Sequence, residues 1–380
     1  MKSSVYIHIP FCRTKCFYCD FLSLPVGDQP PDAGAYLRAL ETELALRGRQ
    51  LQAAGLQVGT VYIGGGTPTA LAAEDLERLL DACKRHLPLA RPEWTIEANP
   101  GTIDRVKAKI LVQYGVNRIS LGIQDTSDDR LALLGRAHTA AQAKQAFFLC
   151  RDSFPSVSVD IITGLPGQTP ETSLSALCEV ISWQPDHTSV YGLKVEEGTP
   201  LAALAESGRV VLPSEEEVLA MFQQARNILT QSGFTHYEVA NFARKGHFCR
   251  HNLTYWQNLP YMGLGLGAHS YWQGRRLRNV TDMEQYQDIM REGQLPVAET
   301  MVVPPRQQME DTMMLGLRLC EGVSFEEFMM RHGCDARDVF AKEISRLEKL
   351  GLVVCDKKSI RLSLAGYPLA NLVFAEFITV

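Results

Sequence analysis

The sequence predicts an α/β fold built on a parallel sheet, and three observations lead there. Short apolar runs alternate with longer amphipathic stretches from the N-terminus to about residue 193. The alternation produces six strand-helix units, which build either a doubly wound sheet or a partly closed barrel. The unusual residues collect after the C-terminal ends of the apolar runs, where barrels of this kind keep their chemistry, and this favours the barrel.

The strands are expected at residues 5–9, 60–64, 94–98, 118–123, 157–162 and 188–193. Helices are expected between them at 36–53, 73–86, 103–114, 140–152 and 171–183. In the second helix, Leu76, Leu79, Leu80, Cys83 and Leu87 fall on one face and make a single apolar stripe. One more helix is expected over 213–232, with Ser214 as N-cap and three glutamates in its first turn. From about Arg306 the composition changes to Met-rich and charged helices that end in a strand at 360–364. Val303, Pro304 and Pro305 read as the linker to this small, mainly helical, winged-helix-like domain. It carries no strong basic face, so a packing or lid role is the expectation. The predicted division is a core barrel at 1–235, a connecting segment at 236–302 and a C-terminal domain at 303–380.

Composition narrows the function classes. The chain has 380 residues, 46% hydrophobic and 21% charged, which fits a globular protein with one large and one smaller domain. A formal net charge of -5 gives no electrostatic reason to expect nucleic-acid binding. Three of the ten cysteines cluster near the N-terminus and the rest are scattered singly, which reads as free thiols in a reducing compartment. The first residues lack the pattern of a signal peptide, and no apolar run reaches the roughly 20 residues of a membrane helix. The expected location is the cytoplasm.

The chemistry centres on HIPFCRTKCFYCDF, residues 8–21. Cys12, Cys16 and Cys19 follow the first strand at C-x3-C-x2-C spacing, so three thiolates come from one tight loop. A closed zinc site takes four protein ligands, whereas a 4Fe-4S cluster held by three cysteines keeps one iron free. A zinc site completed by His8 or Asp20, or three ordinary thiols, are the alternatives. Phe17, Tyr18 and Phe21 would shield a cluster from water. GGGTPT after the second strand lacks the lysine-hydroxyl pair of a P-loop and the spacing of a dinucleotide fold. Glu97 and Asn99 end the third strand, and Gln124 and Asp125 the fourth. Asp160 lies inside VSVDIITGL, where an unpaired buried carboxylate would cost several kcal/mol, so it requires a cation or hydroxyl partner. HNLTYW at 251–256 offers a histidine nitrogen and two aromatics that suit heme, or a loop packed on the barrel. Cys249, His247 and His269 are rival ligands.

Together, YIHIPFCRTKCFYCDF, GGGTPT, TIEANP, SLGIQD, GRAHT and VDIITGLPGQT resemble the radical SAM family of coproporphyrinogen III oxidase-like proteins, collinearly over nearly the whole chain. The resemblance implies a partial (β/α)6 TIM-like barrel with a 4Fe-4S cluster on Cys12, Cys16 and Cys19. It implies S-adenosylmethionine (SAM) contacts at Gly65, Gly66, Thr67, Glu97, Gln124, Arg136 and Asp160, with Tyr6 beside the cluster strand. Two features bear on the branch. Coproporphyrinogen dehydrogenases proper carry a further cysteine two residues after the third cluster cysteine, and here that position is Phe21. HNLTYW looks like the HNxxYW motif of the family's heme-chaperone branch, which implies heme contact through His251, Tyr255 and Trp256. The implied partners are heme, apo-heme acceptor proteins such as respiratory enzymes, and a small electron-donor protein, with a homodimer among the assemblies allowed. Decarboxylation of coproporphyrinogen III, or another radical reaction on a tetrapyrrole, is the alternative activity.

Overall fold

The computed structural model describes residues 2–27 and 32–379. Six strands form the parallel centre: β1 Lys2–Ile9, β2 Gln57–Gly65, β3 Leu89–Ala98, β4 Arg118–Gln124, β5 Ser156–Thr163 and β6 His187–Gly192. They lie side by side in chain order. Helices α1 Gly34–Ala53, α2 Ala73–His86, α3 Arg105–Tyr114, α4 Asp128–Leu133, α5 Ala140–Arg151 and α6 Pro170–Ser182 occupy the crossovers. The partial-barrel expectation therefore holds. The bounds of α2 coincide with those read from its stripe, whereas β2 and β3 begin earlier than expected. Ladder hydrogen bonds, which polar residues make as readily as apolar ones, set those strand ends.

Strand alternation separates two environments. Val5, Ile7, Ile9, Val61 and Ile63 are buried in one core that also holds Leu40, Leu44, Leu76 and Leu80 of α1 and α2. The alternate residues Ser4, Tyr6, His8, Thr60 and Tyr62 face the barrel interior, where polar and aromatic side chains pair with one another.

After α7 Pro200–Glu206 and α8 Glu215–Gln231, the chain extends this sheet on both sides. The segment 236–302, expected to connect the barrel to the C-terminal domain, also contributes strands to the sheet. Strands β7 Thr235–Glu238 and β8 Asn241–Ala243 add to the β6 edge. Helix α9 Arg250–Trp256 follows, then β9 Tyr261–Leu264, which pairs parallel with β1, and β10 His269–Trp272, β11 Arg275–Asn279 and β12 Val297–Val302 beyond it. The result is a twelve-stranded sheet. Helix α10 Met283–Arg291 packs on α1. A buried carboxylate ties this segment to the core: Glu43 of α1 accepts from Gly265 N–H (2.8 Å), Asn279 Nδ2 (2.9 Å) and the Tyr286 hydroxyl (2.8 Å).

Helix α8 starts with the predicted Ser214 cap, completed as a capping box by Glu217. Pro304 stands at the N-cap position of α11 Pro305–Gly316, the first helix of the C-terminal domain, with Pro305 as its first helical residue. That domain has its own core around Phe325, Phe328, Phe340 and Ile360. It contains α12 Phe325–His332, α13 Ala336–Val339, α14 Ala341–Lys349 and α15 Ala370–Ala375. A small antiparallel sheet of β13 Val323–Ser324, β14 Val353–Cys355 and β15 Ser359–Leu362 completes it. Among the described residues no helix is long and apolar enough to cross a membrane.

Candidate functional site

The C-terminal ends of the six parallel strands surround a cavity of about 400 Å³. Cys12, Cys16 and Cys19 line it together with Gly65, Gly66, Thr67, Glu97, Gln124, Arg136 and Asp160. Residues from six chain segments, separated by up to about 150 positions, thus meet at one mouth. Tyr6 is the predicted residue that does not reach the wall. It lies beneath, with its hydroxyl 3.0 Å from His8 Nδ1 and its ring stacked on Tyr62.

The cysteine loop is held from both ends. Phe17 N–H donates to Leu134 O at 3.0 Å, Leu201 N–H to Phe17 O at 2.9 Å, and Val26 N–H to Cys12 O at 2.8 Å. All ten cysteines are free thiols. No three His, Cys, Asp or Glu side chains among the described residues converge on one ion. Both nitrogens of His8 are also engaged, Nδ1 by Tyr6 and Nε2 by Leu22 O at 2.9 Å, so His8 is not presented as a fourth zinc ligand. The expected aromatic shield is uneven. Tyr18 packs against Leu134, Ile162 and Leu165, whereas Phe21 is 65% exposed at the lip.

The glycine turn is dictated by crowding. A Cβ on Gly65, which has φ +106°, would fall 2.2 Å from His8 Nδ1, and one on Gly66 would fall 2.7 Å from Phe11 O. Without those side chains the turn lies against the cysteine loop: Gly66 N–H donates to Ile9 O (2.8 Å) and Thr67 N–H to Phe11 O (2.7 Å). The Thr67 hydroxyl is 3.6 Å from Cys12 Sγ.

The carboxylates have defined partners. Glu97 accepts from the Tyr62 hydroxyl at 2.8 Å and Gly65 N–H at 3.0 Å. Burial pushes its pKa up to about 7 against the pull of those two donors. Asp160 finds the hydroxyl partner its position demanded: Ser120 Oγ donates to it at 3.1 Å, and Ser189 also bonds to it. Burial still raises its pKa. Arg136 donates to Cys16 Sγ at 3.3 Å, to Asn99 Oδ1 at 2.6 Å and to Gly122 O. Burial opposes its charge, but Cys16 and Tyr18 outweigh that and raise its pKa. Its Nε is a buried donor without a partner on the protein. Gln124 takes φ +70° at a register shift in β4, a strained conformation of the kind held at binding sites.

Neighbouring positions part company. Asp125 turns away from the cavity to pair with Arg130 at 2.8 Å and Gln168 at 3.1 Å. The cavity also recruits Ser120 and Tyr191, which were not singled out from the sequence. The period-two pattern on β4 and β6, which puts them on the interior face, was the available signal.

HNLTYW lies elsewhere. It forms α9 at the N-terminal end of the barrel, where Glu93 accepts from the N–H groups of Arg250 and His251 at 3.0 Å each. His251 is fully buried, with Nδ1 2.8 Å from Thr60 Oγ1 and Nε2 2.8 Å from the Tyr255 hydroxyl. Trp256 packs under the Arg318 guanidinium, 4.2 Å from the ring centroid, where the C-terminal domain meets the barrel. Helical geometry places the histidine of this stretch against Thr60 of β2 and its tyrosine against that histidine. Of the rival ligands, Cys249 is buried beside Glu93, His247 bonds Ser156, and His269 is exposed on β10.

Comparison with known proteins agrees with this architecture. The Radical SAM superfamily profile matches residues 6–176, and that of the HemN C-terminal domain matches 303–369. The chain is 38% identical to the Heme chaperone HemW of Bacillus subtilis, over 100% of this chain and 99% of that one. It is 33% identical to the bovine (Bos taurus) Radical S-adenosyl methionine domain-containing protein 1, mitochondrial, covering 96% and 85%. Among solved structures, Coproporphyrinogen III oxidase (HemN) from Escherichia coli superposes with a TM-score of 0.85 at 25% identity, covering 100% of this chain and 91% of that one. Full-length identity at this level, on a barrel that gathers the cysteine loop and the glycine turn at one mouth, places the chain in the heme chaperone HemW family of radical SAM proteins.

Proposed function

We propose that this protein is a heme chaperone that holds a 4Fe-4S cluster and SAM at the mouth of its barrel and passes heme to apo-proteins, respiratory enzymes among them. The observation that carries the cofactor part is the single cavity shared by three free thiols, two half-buried carboxylates and an arginine with an unpartnered Nε. Cys12, Cys16 and Cys19 would hold the cluster, whose chemistry when bound is one-electron reduction of a sulfonium. Glu97 and Asp160 would accept from the ammonium and ribose hydroxyls of SAM, and Arg136 would face its carboxylate. Gly65, Gly66 and Thr67 would border the methionine portion, with Gln124 beside them. The scattered free thiols support a cytoplasmic setting.

Phe21, at the position where coproporphyrinogen dehydrogenases carry a further cysteine, favours the chaperone over the decarboxylase. The deciding experiment incubates anaerobically reconstituted protein with heme, and separately with coproporphyrinogen III, SAM and a reductant. Retained and transferable heme with no vinyl product supports the chaperone; vinyl product without heme retention reverses the choice.

A further inference from the structure

Helix α9 plugs the barrel from the end opposite the cysteine loop. Arg250 reaches Gly59 O at 3.4 Å, and Thr254 pairs with Ser4 at 2.8 Å. With these anchors the His251 ring stands inside the barrel against Thr60 and Tyr62 of β2. Its ring lies 5.2 Å from that of Tyr62 at an interplanar angle of 31°. Tyr62 in turn donates its hydroxyl to Glu97 in the cavity wall, 2.8 Å away. A contact relay thus runs from Thr60 and Tyr255, which fix both nitrogens of His251, through the two ring faces to the carboxylate.

Two features of the relay bear on its role. An imidazole with both nitrogens hydrogen-bonded has no free lone pair aimed at an incoming iron. Burial, aided by Arg118, also pushes the His251 pKa down to about 3, so the ring adds no positive charge beneath Glu97 and Asp160. What the ring does supply is a rigid face. That face lies against the Tyr62 phenol, and the phenol is what holds Glu97 Oε1.

We propose that His251 is a positioning residue that fixes Glu97 for SAM through the ring of Tyr62, and that it is not an axial ligand of heme. The proposal rests on the assignment of the mouth as the SAM site. Side-chain packing sets the geometry: His251→Phe keeps a ring against Tyr62, whereas His251→Ala opens space beneath it.

The test measures SAM affinity by calorimetry on reconstituted protein, and heme dissociation by loss of the Soret band. His251→Ala should weaken SAM about tenfold and His251→Phe no more than about threefold, with heme dissociation unchanged in both. In a double-mutant cycle, His251→Ala should cost little more once Tyr62→Phe has cut the link to Glu97. Faster heme loss with unaltered SAM affinity overturns the proposal, as does an equal loss of SAM affinity in both His251 variants that adds to that of Tyr62→Phe. Should His251→Ala fail to fold, Tyr255→Phe releases one ring nitrogen without emptying the floor. It should weaken SAM about twofold, non-additively with Tyr62→Phe, and full additivity or no effect overturns the proposal. Glu97→Gln is the control on the underlying assignment: unchanged SAM affinity there removes the mouth as the SAM site, whatever the His251 variants do.

Discussion

The Tyr62 hydroxyl stands 2.8 Å from Glu97 Oε1 while the Gly65 N–H holds Oε2 at 3.0 Å, so one strand and its glycine turn grip both oxygens of a carboxylate on the next strand. Burial nevertheless lifts that carboxyl from 4.5 to about 7. Folding therefore favours the protonated form, a contribution that is complete below about pH 4.5 and is lost as pH rises through 7. Without SAM, the wild type should lose on the order of 2 kcal/mol more than Glu97→Gln between pH 4.5 and 8. This is less than the full shift implies, because the carboxylate also faces an open cavity. Denaturant unfolding of both proteins at the two pH values measures the difference, and parallel curves would sink the assignment.

SAM affinity should rise over the same window, because the ionised carboxylate is the better acceptor. Calorimetry at pH 6 and pH 8 should show tighter binding at the higher pH in the wild type and a flatter dependence in Glu97→Gln.

Replacing Cys12, Cys16 or Cys19 with Ala should each abolish the broad absorption near 400 nm that follows anaerobic reconstitution with iron and sulfide. Cys249→Ala and Cys334→Ala should keep it, since neither thiol lines the cavity. Loss of the band in either of those two variants would move the ligand set.

Asp160→Ala removes the acceptor that Ser120 and Ser189 orient. SAM binding should weaken by about 1 to 3 kcal/mol, the usual range for a hydrogen bond to a charged group. An unchanged calorimetric affinity would take Asp160 out of the site.

Glu43→Ala should destabilise the barrel by about 3 to 5 kcal/mol, because Arg47, at 3.8 Å and 3% exposed, would be left a buried unpaired cation. The Gly265 and Asn279 anchors would be lost with it. Thermal unfolding reads this directly, and a change within about 0.5 kcal/mol, as at an ordinary surface site, would contradict it.

Much of this protein is written locally. Strand-helix alternation sets the order of the six central units because hydrophobic periodicity acts over a few residues. Ser214 starts α8 through its capping box with Glu217, and Pro305 at the first helical position starts α11, each within one turn. The C-x3-C-x2-C loop and the glycine turn are legible for the same reason: each is a short segment whose residue types dictate its conformation.

The site beyond those segments depends on partners far away in the chain. Asp125 is drawn away by Arg130 nearby and by Gln168, 43 residues on, while Gln124 turns into the cavity at a register shift between β4 and β5, and the distant partner cannot be read from the local sequence. The segment 236–302 reads as a connector because its strands are short and irregular, yet hydrogen bonding to β1 and β6 builds it into the sheet. HNLTYW shows the division most sharply. By itself the sequence determined a histidine and two aromatics in one stretch, residue types compatible with heme or with packing. Only the tertiary structure decided where that stretch sits, through Glu93 at the start of α9 and Thr60 on the facing strand. Those partners lie 158 and 191 residues from His251, and a buried imidazole must satisfy both nitrogens wherever the fold brings acceptors and donors to it.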